Sequence, residues 1–381
     1  MSIKDLLTEL SQASGPSGHE APVRRIVRRE LEKYADEVTT TPLGSVIGVK
    51  RAAAPAPPSG GGRKTQSKAP PAHKVLIEGH IDEIGLIVTA IDQHVIRFDE
   101  IGGYDPRILL SQNVMVHGRE PLPGVIGARP PHVLAARDRD RPVPLSELFI
   151  DVGLPEARLR ELVQVGDVIT LDAKVVSLRN GMVAGKAFDD RASVVTVLDA
   201  LRRLEGVRLA WDLYVVANVQ EEDGAWFPGA FTSTYRIHPD VAVALDVSHG
   251  DQPGVGDVNT VPLDKGPGIA RGPNVHPRVH ERLVAAARAI EIPHRVTTYG
   301  GATGTNAWAM QVVAEGIPTG LLDLPLRYMH TPVETLALSD LERTARLLAA
   351  FVSGLDESFY QDLFGQGAVQ TGRVKRPARK K

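Results

Sequence analysis

The sequence predicts an α/β fold, in which helices flank a mostly parallel sheet and a small β-rich domain is inserted into the chain. Two observations support this class. Short apolar runs alternate with amphipathic segments in residues 1–85 and 179–364, which is typical of strands joined by crossover helices. Residues 86–178 instead contain short strand-like runs, many Gly and Pro, and one helix-like segment at 155–163. We therefore expect an α/β domain built from the two outer segments and a β-rich domain between them.

Hydrophobic periodicity and turn residues predict the elements of the α/β domain. Residues 1–15 have the pattern of a short amphipathic helix. A second helix is predicted at 21–34, preceded by Ser17 and Glu20 at the spacing of a capping box. The remaining predictions, in chain order, are strand 74–79, helix 192–204, strands 211–218 and 240–247, helix 277–290, strand 294–300, a helix around 306–315, an apolar run at 318–324 and a last helix at 338–355.

The composition excludes several kinds of site and partner. The chain has no cysteine, so disulfides and thiolate metal sites are impossible, and a metal would need His, Asp or Glu ligands. The net charge of -2 gives the molecule no bias toward nucleic acid or an anionic membrane. No window approaches about 18 consecutive apolar residues, and the N-terminus lacks the apolar core of a signal peptide. We therefore expect a cytoplasmic protein without a nucleic-acid or membrane partner.

Two segments lack the periodicity of a folded element. Residues 51–71 are rich in Ala, Pro, Gly and Ser, which predicts a flexible loop. Residues 365–381 end in a basic cluster, and we interpret them as a disordered, solvated tail in preference to a nucleic-acid contact.

Acidic residues and histidines follow the predicted strands. Ligands of open α/β sheets collect beyond the carboxyl ends of the strands. One such residue alone is usually a helix cap or a surface charge, but four strands supplying them to one edge indicate a site. The residues are His80, Asp82 and Glu83 after 74–79, Glu221 and Glu222 after 211–218, Asp246 in 240–247, His330 after 318–324, and Asp189 and Asp190 just before helix 192–204.

These residue types favour a metal centre. Imidazole and carboxylate ligands without thiolate suit zinc or cobalt. Two metals that share one carboxylate need five ligands, with one aspartate bridging. Asp82 lies two residues after His80 and is suited to hold its second ring nitrogen.

The neighbouring acids Glu221 and Glu222 need different environments. One could bind a metal while the other stays free as a general base. Side chains of consecutive strand residues point to opposite faces, so both can serve one site only if the chain is leaving the strand. Asp223 and Gly224 favour a turn at this point.

The other histidines are less informative. His249 lies three residues after Asp246 and could support the site. His132 could equally line the site or an interface. We interpret a further set as surface or structural residues: His94, His117, His238, His276, His280 and His294.

Five segments, in this order along the chain, resemble metallopeptidase family 42. They are GHIDEIG at 79–85, KAFDDR at 186–191, VQEED at 219–223, ALDVSHGD at 244–251 and RYMHTPVE at 327–334. The similarity extends from SQASGPSGHE near the N-terminus to the last predicted helix. The family contains glutamyl, deblocking and tetrahedral aminopeptidases, and some members carry an endoglucanase label. Glycosidases pair two carboxylates without a histidine-rich metal site, so we give that label little weight.

The resemblance implies a dinuclear aminopeptidase fold with an inserted PDZ-like domain that serves dimerisation. It implies two divalent ions per subunit, with Asp189 bridging them, Glu221 as the general base and Asp82 orienting His80. Homo-oligomers built from dimers, including tetrahedral dodecamers, occur in the family. The implied metal ligands are His80, Asp189, Glu222, Asp246 and His330.

The resulting hypothesis is a metal-dependent aminopeptidase that removes N-terminal residues from peptides through a water activated by two metals. A related two-metal amidohydrolase that deacylates small molecules and an inactive metal-binding scaffold are the alternatives. The sequence departs from the family at three places. Asn306 stands where the family commonly has Asp, the bulky residues 226–228 replace a shorter turn, and the 51–71 loop is longer than usual.

Overall fold

The computed structural model describes residues 1–53, 72–136, 141–223, 226–256 and 260–365. Its helices are α1 Ile3–Gln12, α2 Ala21–Leu31, α3 Pro106–Leu109, α4 Glu156–Leu162, α5 Phe188–Arg203, α6 Pro228–Ile237, α7 Pro277–Ala289, α8 Asn306–Met310, α9 Leu338–Ser353 and α10 Glu357–Phe364. Its strands are β1 Glu37–Thr40, β2 Val46–Lys50, β3 Lys74–His80, β4 Gly85–Asp92, β5 Val95–Ile101, β6 Asn113–His117, β7 Pro121–Gly127, β8 Phe149–Asp151, β9 Val168–Leu171, β10 Val176–Ser177, β11 Met182–Gly185, β12 Asp212–Asn218, β13 Val241–His249, β14 Gly268–Arg271, β15 Arg295–Thr298, β16 Thr319–Leu326 and β17 Glu334–Ala337.

The large sheet has eight strands in the order β1-β2-β12-β3-β13-β16-β14-β15. Its four central strands, β12, β3, β13 and β16, run parallel to one another. Towards the edges, β2 pairs antiparallel with β1 and β12, and β14 pairs antiparallel with β16. The sheet is therefore mixed, and the predicted parallel arrangement describes its centre and the β14–β15 pair. The strands that supply the predicted ligands are the four central ones.

Helices cover both faces of the sheet. Side chains of consecutive strand residues point to opposite faces, and Val75 and Ile77 of β3 pack into one core cluster while Leu76 packs into another. The first cluster contains the apolar sides of α1, α2, α5, α7 and α9, and the second contains those of α6 and α8. Because both faces are covered, the central strands are apolar along nearly their whole length.

The inserted segment forms a closed antiparallel barrel in the order β4-β5-β8-β7-β6-β9. It has a core of its own, which includes Leu86, Ile96, Val116, Ile150 and Ile169. The barrel begins directly after β3, so its first loops lie beside the carboxyl edge of the large sheet. The predicted β-rich insertion is present, whereas its PDZ-like character and its role in dimerisation stay predictions. A separate small sheet joins β10, β11 and β17.

Some local predictions were wrong. Helix α2 ends at Leu31, and no capping box precedes it. The Ser17 hydroxyl instead donates to Asp82 Oδ2 at 2.6 Å, and Glu20 accepts from the Gly18 N–H at 2.6 Å. Helix α8 ends at Met310, five residues earlier than predicted, and α10 follows the helix predicted to be last. The Ser17 side chain thus bonds a residue 65 positions away along the chain, and the Glu20 side chain bonds a backbone group two positions away, so neither caps α2.

Part of the chain lies outside the described residues. This applies to positions 54–71 of the predicted loop and positions 366–381 of the predicted tail. Among the described helices, none has both the length and the apolar character that crossing a membrane requires.

Candidate metal centre

The central strands bring the predicted residues to one edge of the sheet. His80 is the last residue of β3, and Asp246 lies near the end of β13. Glu221 and Glu222 lie just beyond β12, where Gln220 has a positive φ of 59° and the chain leaves the strand. His330 follows β16. This strand order brings the four strand ends to a common edge of the sheet.

Asp189 lies between the two histidines. Its Oδ1 atom is 3.4 Å from His80 Nε2, and its Oδ2 atom is 3.4 Å from His330 Nε2. The Asp189 side chain lies at the start of α5, where the backbone of Asp189 and Asp190 does not have helical dihedral angles. One carboxylate therefore faces two imidazoles with separate oxygens, an arrangement that allows it to be shared between two metal ions.

The two neighbouring glutamates contact different histidines. Glu222 Oε2 lies 3.3 Å from His330 Nε2, and Glu221 Oε2 lies 3.7 Å from His80 Nε2. Both side chains are nearly buried, at 6% and 9% exposure. Because the chain leaves β12 before Glu221 and Glu222, both side chains can reach the same site.

Asp82 contacts His80 from the opposite side of the ring. The Asp82 Oδ1 and His80 Nδ1 atoms are 3.4 Å apart, an ion-pair distance at which neither has hydrogen-bond geometry. The other Asp82 oxygen accepts from Ser17 Oγ at 2.6 Å and from the Glu222 N–H at 3.0 Å. Burial disfavours the charged form of Asp82, but His80 and these hydrogen bonds outweigh it and lower the pKa of the carboxyl.

Asp190 also reaches the cluster, a position to which sequence reasoning assigned no ligand. Potential ligand atoms of His80, Asp190 and Asp246 lie within 4.8 Å of one another, as do those of His80, Asp189 and Glu222. Asp190 Oδ2 accepts from the His80 N–H at 3.2 Å, whereas its Oδ1 atom is buried without a hydrogen-bond partner. The centre therefore holds one more carboxylate than the family resemblance implied.

Gly79 allows this close approach between β3 and α5. A Cβ atom at this position would lie 2.8 Å from Ser193 Cβ and 3.0 Å from Asp190 Oδ2. A side chain there would push the start of α5 away from the strand and separate Asp190 from His80.

The electrostatics of the cluster favour a bound cation. Burial raises the pKa of Glu221 well above its usual range, and Asp246 and Glu222 raise it further although His80 opposes them. Burial likewise raises the pKa of Asp246, with Asp189 adding to the effect. The pKa of Asp189 itself is lowered, because its contacts with the two histidines outweigh burial. Buried carboxylates that crowd one another are costly unless positive charge compensates them.

The donor set fits divalent metal ions. Five carboxylates (Asp189, Asp190, Glu221, Glu222 and Asp246) surround two imidazoles. Such oxygen and nitrogen donors are those that zinc and cobalt accept, at three protein ligands per catalytic ion. The Asp190 Oδ1 atom is buried without a hydrogen-bond partner, which also favours a bound cation, because buried polar atoms normally have a partner.

Two further groups hold the cluster and were missed from the sequence. Glu334 Oε2 accepts from the N–H groups of Phe188 at 2.7 Å and Asp189 at 3.1 Å, while its Oε1 accepts from the His330 N–H at 2.9 Å. The Gly103 carbonyl accepts from His330 Nδ1 at 3.1 Å. Glu334 belongs to one of the quoted segments, RYMHTPVE, but no local pattern indicated that it bonds the backbone of two candidate ligands.

A cavity of about 520 Å³ opens onto the cluster. Its lining includes His249, whereas His132 is exposed in the short 3-10 helix Pro131–Val133. The lining residues are Asp189, Glu221, Glu222, Phe227, Asp246, Val247, Ser248, His249, Tyr299, Thr303, Gly304, Thr305, Met329 and His330.

Asn306, at which the sequence departs from the family, lies buried outside the metal cluster. Its Nδ2 atom donates to Glu78 Oε2 at 2.8 Å, and Asn218 Nδ2 donates to the same oxygen at 2.8 Å. The Ser233 hydroxyl donates to Asn218 Oδ1 at 2.8 Å. An Asp at position 306 could hydrogen-bond to Glu78 only if one of the two carboxyl groups were protonated. The Asn306 amide donates its own N–H and needs no such extra proton.

An α/β sheet whose parallel strands carry a histidine–carboxylate cluster at their carboxyl edge defines a class that includes metal-dependent hydrolases. The family model described as M42 glutamyl aminopeptidase matches residues 61–347. The chain belongs to this family of peptidases, and the resemblance drawn from its five segments is confirmed.

Individual relatives match nearly the whole chain. The lysyl aminopeptidase of Pyrococcus furiosus is 31% identical over 92% of this chain and 97% of its own length. The solved aminopeptidase APDkam598 of Desulfurococcus kamchatkensis is 35% identical, with a TM-score of 0.84 over 95% of this chain and 98% of its own. The Pyrococcus horikoshii TET1 peptidase, which assembles into a tetrahedron or an octahedral shell, is 29% identical, with a TM-score of 0.77 over 93% of this chain and 100% of its own.

Proposed function

We propose that this protein is a metal-dependent aminopeptidase that removes N-terminal residues from peptides. The observation that carries the proposal is the Asp189 carboxylate, which faces His80 with one oxygen and His330 with the other at the floor of an open cavity. The aminopeptidase relatives support the reaction class, because their similarity spans nearly all of this chain.

Five residues would hold two divalent ions, zinc or cobalt. Asp189 would be shared, His80 and Asp246 would complete one centre, and Glu222 and His330 would complete the other. When bound, the ions would polarise the scissile carbonyl and make the attacking water more acidic. Asp82 keeps the His80 ring in place from its Nδ1 side, and Asp190 holds the His80 backbone.

Glu221 is the proton carrier in this proposal. It is nearly buried, lines the cavity and lies beside His80, whereas Glu222 contacts His330. Glu221 accepts a proton from the attacking water and then donates it to the nitrogen of the leaving peptide. The free α-amino group of the substrate is cationic, and the carboxylates at the cavity floor provide its negative surroundings. A free N-terminus is therefore selected over an acylated one.

We also propose that the subunits assemble through the inserted barrel into dimers and larger shells. Support comes from the TET1 peptidase, which assembles into such shells and matches this chain over its whole length. An enclosed assembly would admit peptides and exclude folded proteins.

The deciding experiment uses metal-stripped protein to which zinc or cobalt is restored. We expect hydrolysis of aminoacyl-p-nitroanilides only after a metal is added, and no hydrolysis of N-acyl amino acids. Preferential turnover of the N-acyl compounds would identify a deacylase instead. Absence of turnover of both kinds of substrate, even by protein that binds the added metal, would identify an inactive scaffold.

A further inference from the structure

We infer that the cavity above the metal centre accepts the N-terminal side chain of the substrate and selects neutral, apolar residues such as Leu, Met and Phe. This inference rests on the proposed aminopeptidase function and names its substrate class.

Part of the cavity lining is apolar. Phe227, Val247, Tyr299 and Met329 form this part, which we call the apolar wall. Phe227 and Tyr299 pack against the core cluster that contains α6 and α8, and Met329 packs against the core cluster on the other face of the sheet. Because these side chains pack against the protein core, they form a preformed apolar surface for a substrate side chain.

The described part of the lining holds few charged groups that are free to pair with a substrate side chain. It contains no Lys or Arg, and its acids are the cluster members Asp189, Glu221, Glu222 and Asp246. His249 is the one other basic side chain of this lining besides His330, and it is exposed rather than enclosed. A glutamyl side chain entering the cavity would lose water without gaining a Lys or Arg partner, and a lysyl side chain would have to compete with the proposed metals and the substrate α-amino group for the cluster carboxylates.

Asp323 contacts the same wall but is not open to a substrate amine. One of its oxygens accepts from the Tyr299 hydroxyl at 3.1 Å, and the other accepts from the Thr297 hydroxyl. Asp323 is 1% exposed. Its contribution is to hold the Tyr299 ring at the wall, since the bond fixes the far end of that side chain.

The first test is the profile of kcat/KM over aminoacyl-p-nitroanilides for the metal-loaded wild-type protein. We expect the leucyl and phenylalanyl substrates to exceed the lysyl and glutamyl substrates by about tenfold or more, since a charged group without a partner is strongly discriminated against. A lysyl or glutamyl substrate that equals or exceeds the leucyl one overturns the inference while leaving the aminopeptidase function intact. Failure to cleave any aminoacyl substrate overturns the proposed function, and the inference falls with it.

The second test installs a charge in the lining. Thr303 is half-buried and lines the cavity, and its hydroxyl lies 2.9 Å from that of Thr305. Thr303→Lys should raise the glutamyl-to-leucyl ratio of kcat/KM by about tenfold or more over that of Thr303→Gln, the neutral control of similar length. Thr303→Glu should favour the lysyl substrate in the same way. Equal ratios in the charged and neutral variants would show that the substrate side chain does not enter this cavity.

Discussion

The Nδ1 atom of His330 donates a hydrogen bond to the backbone carbonyl of Gly103 at 3.1 Å. Gly103 lies in the loop that follows β5 of the inserted barrel, whereas His330 follows β16 of the large sheet. A carbonyl can only accept, so this bond places the proton on Nδ1 and leaves Nε2 to face Asp189 and Glu222. The barrel therefore orients a candidate metal ligand that belongs to the other domain.

Displacing the Gly103 loop should weaken metal retention. Gly102 has a φ of +78°, and a Cβ atom there would lie 2.5 Å from Ile84 Cγ2 and 3.1 Å from Glu222 O. We expect Gly102→Ala to lower zinc affinity by about 10- to 100-fold, the usual effect of disturbing a partner of a metal-bound histidine. Competition with a chromogenic chelator measures this affinity.

Gly153 provides the matched control for this loop. Its φ is +70°, but a Cβ atom there meets nothing within 4 Å. Gly153→Ala therefore has a similar backbone strain without the clash, and it should keep wild-type zinc affinity. Equal zinc affinities for the two variants would show that the Gly103 loop does not support the metal centre.

Replacing the two adjacent glutamates should separate chemistry from metal binding. Glu221→Gln should lose about 10²- to 10⁴-fold in kcat while retaining the wild-type metal content, because it removes a proton acceptor. Glu222→Gln should lose metal, because it removes the charged partner of His330. Metal analysis and turnover of each variant provide the check, and normal turnover by Glu221→Gln would remove it from the role of base.

Glu334 should affect the metal centre without contacting a metal. Its two oxygens accept from the backbone of Phe188, Asp189 and His330, and an amide has only one accepting oxygen for these donors. We expect Glu334→Gln to lower metal affinity by about 10- to 100-fold. Glu342→Gln, which changes the same charge at an exposed position, is the control and should match the wild type. Equal affinities in both variants would contradict the positioning role.

Glu83 should matter for stability. It is buried with Lys186 and Arg191, and it also accepts from the Gly15 N–H at 2.9 Å. Glu83→Gln leaves two buried cations without a countercharge, and breaking such a buried pair costs about 3–5 kcal/mol. Denaturant unfolding of metal-stripped protein measures the change without a contribution from metal binding.

An exposed ion pair gives the comparison for Glu83. Glu156 and Arg160 lie 2.8 Å apart on α4, and both side chains are about half exposed. Glu156→Gln should change the free energy of unfolding by about 0.5 kcal/mol or less, because solvent screens the pair. A Glu83→Gln cost as small as this would show that its two cations find other partners.

Local patterns were sufficient to predict much of the site. His80, Glu221, Glu222, Asp246 and His330 could be picked out because each follows or ends an apolar run, and the carboxyl ends of parallel strands share an edge. The prediction needed only the position of each residue relative to its own strand. The specific roles of these residues remain proposals that the variants above test.

The sequence by itself determined the alternation of strands and helices, the presence of the insertion and the residues at the strand ends, because periodicity is a property of neighbouring residues. Tertiary structure alone decided that Ser17 bonds Asp82 in place of capping α2, and that Asp190 lies close enough to His80 and Asp246 to form a possible ligand group with them. It also decided the partners of Glu334 and His330, which lie 146 residues from Phe188 and 227 residues from Gly103 along the chain. No local pattern encodes such bonds, since they form only when strand order and packing have brought distant segments together.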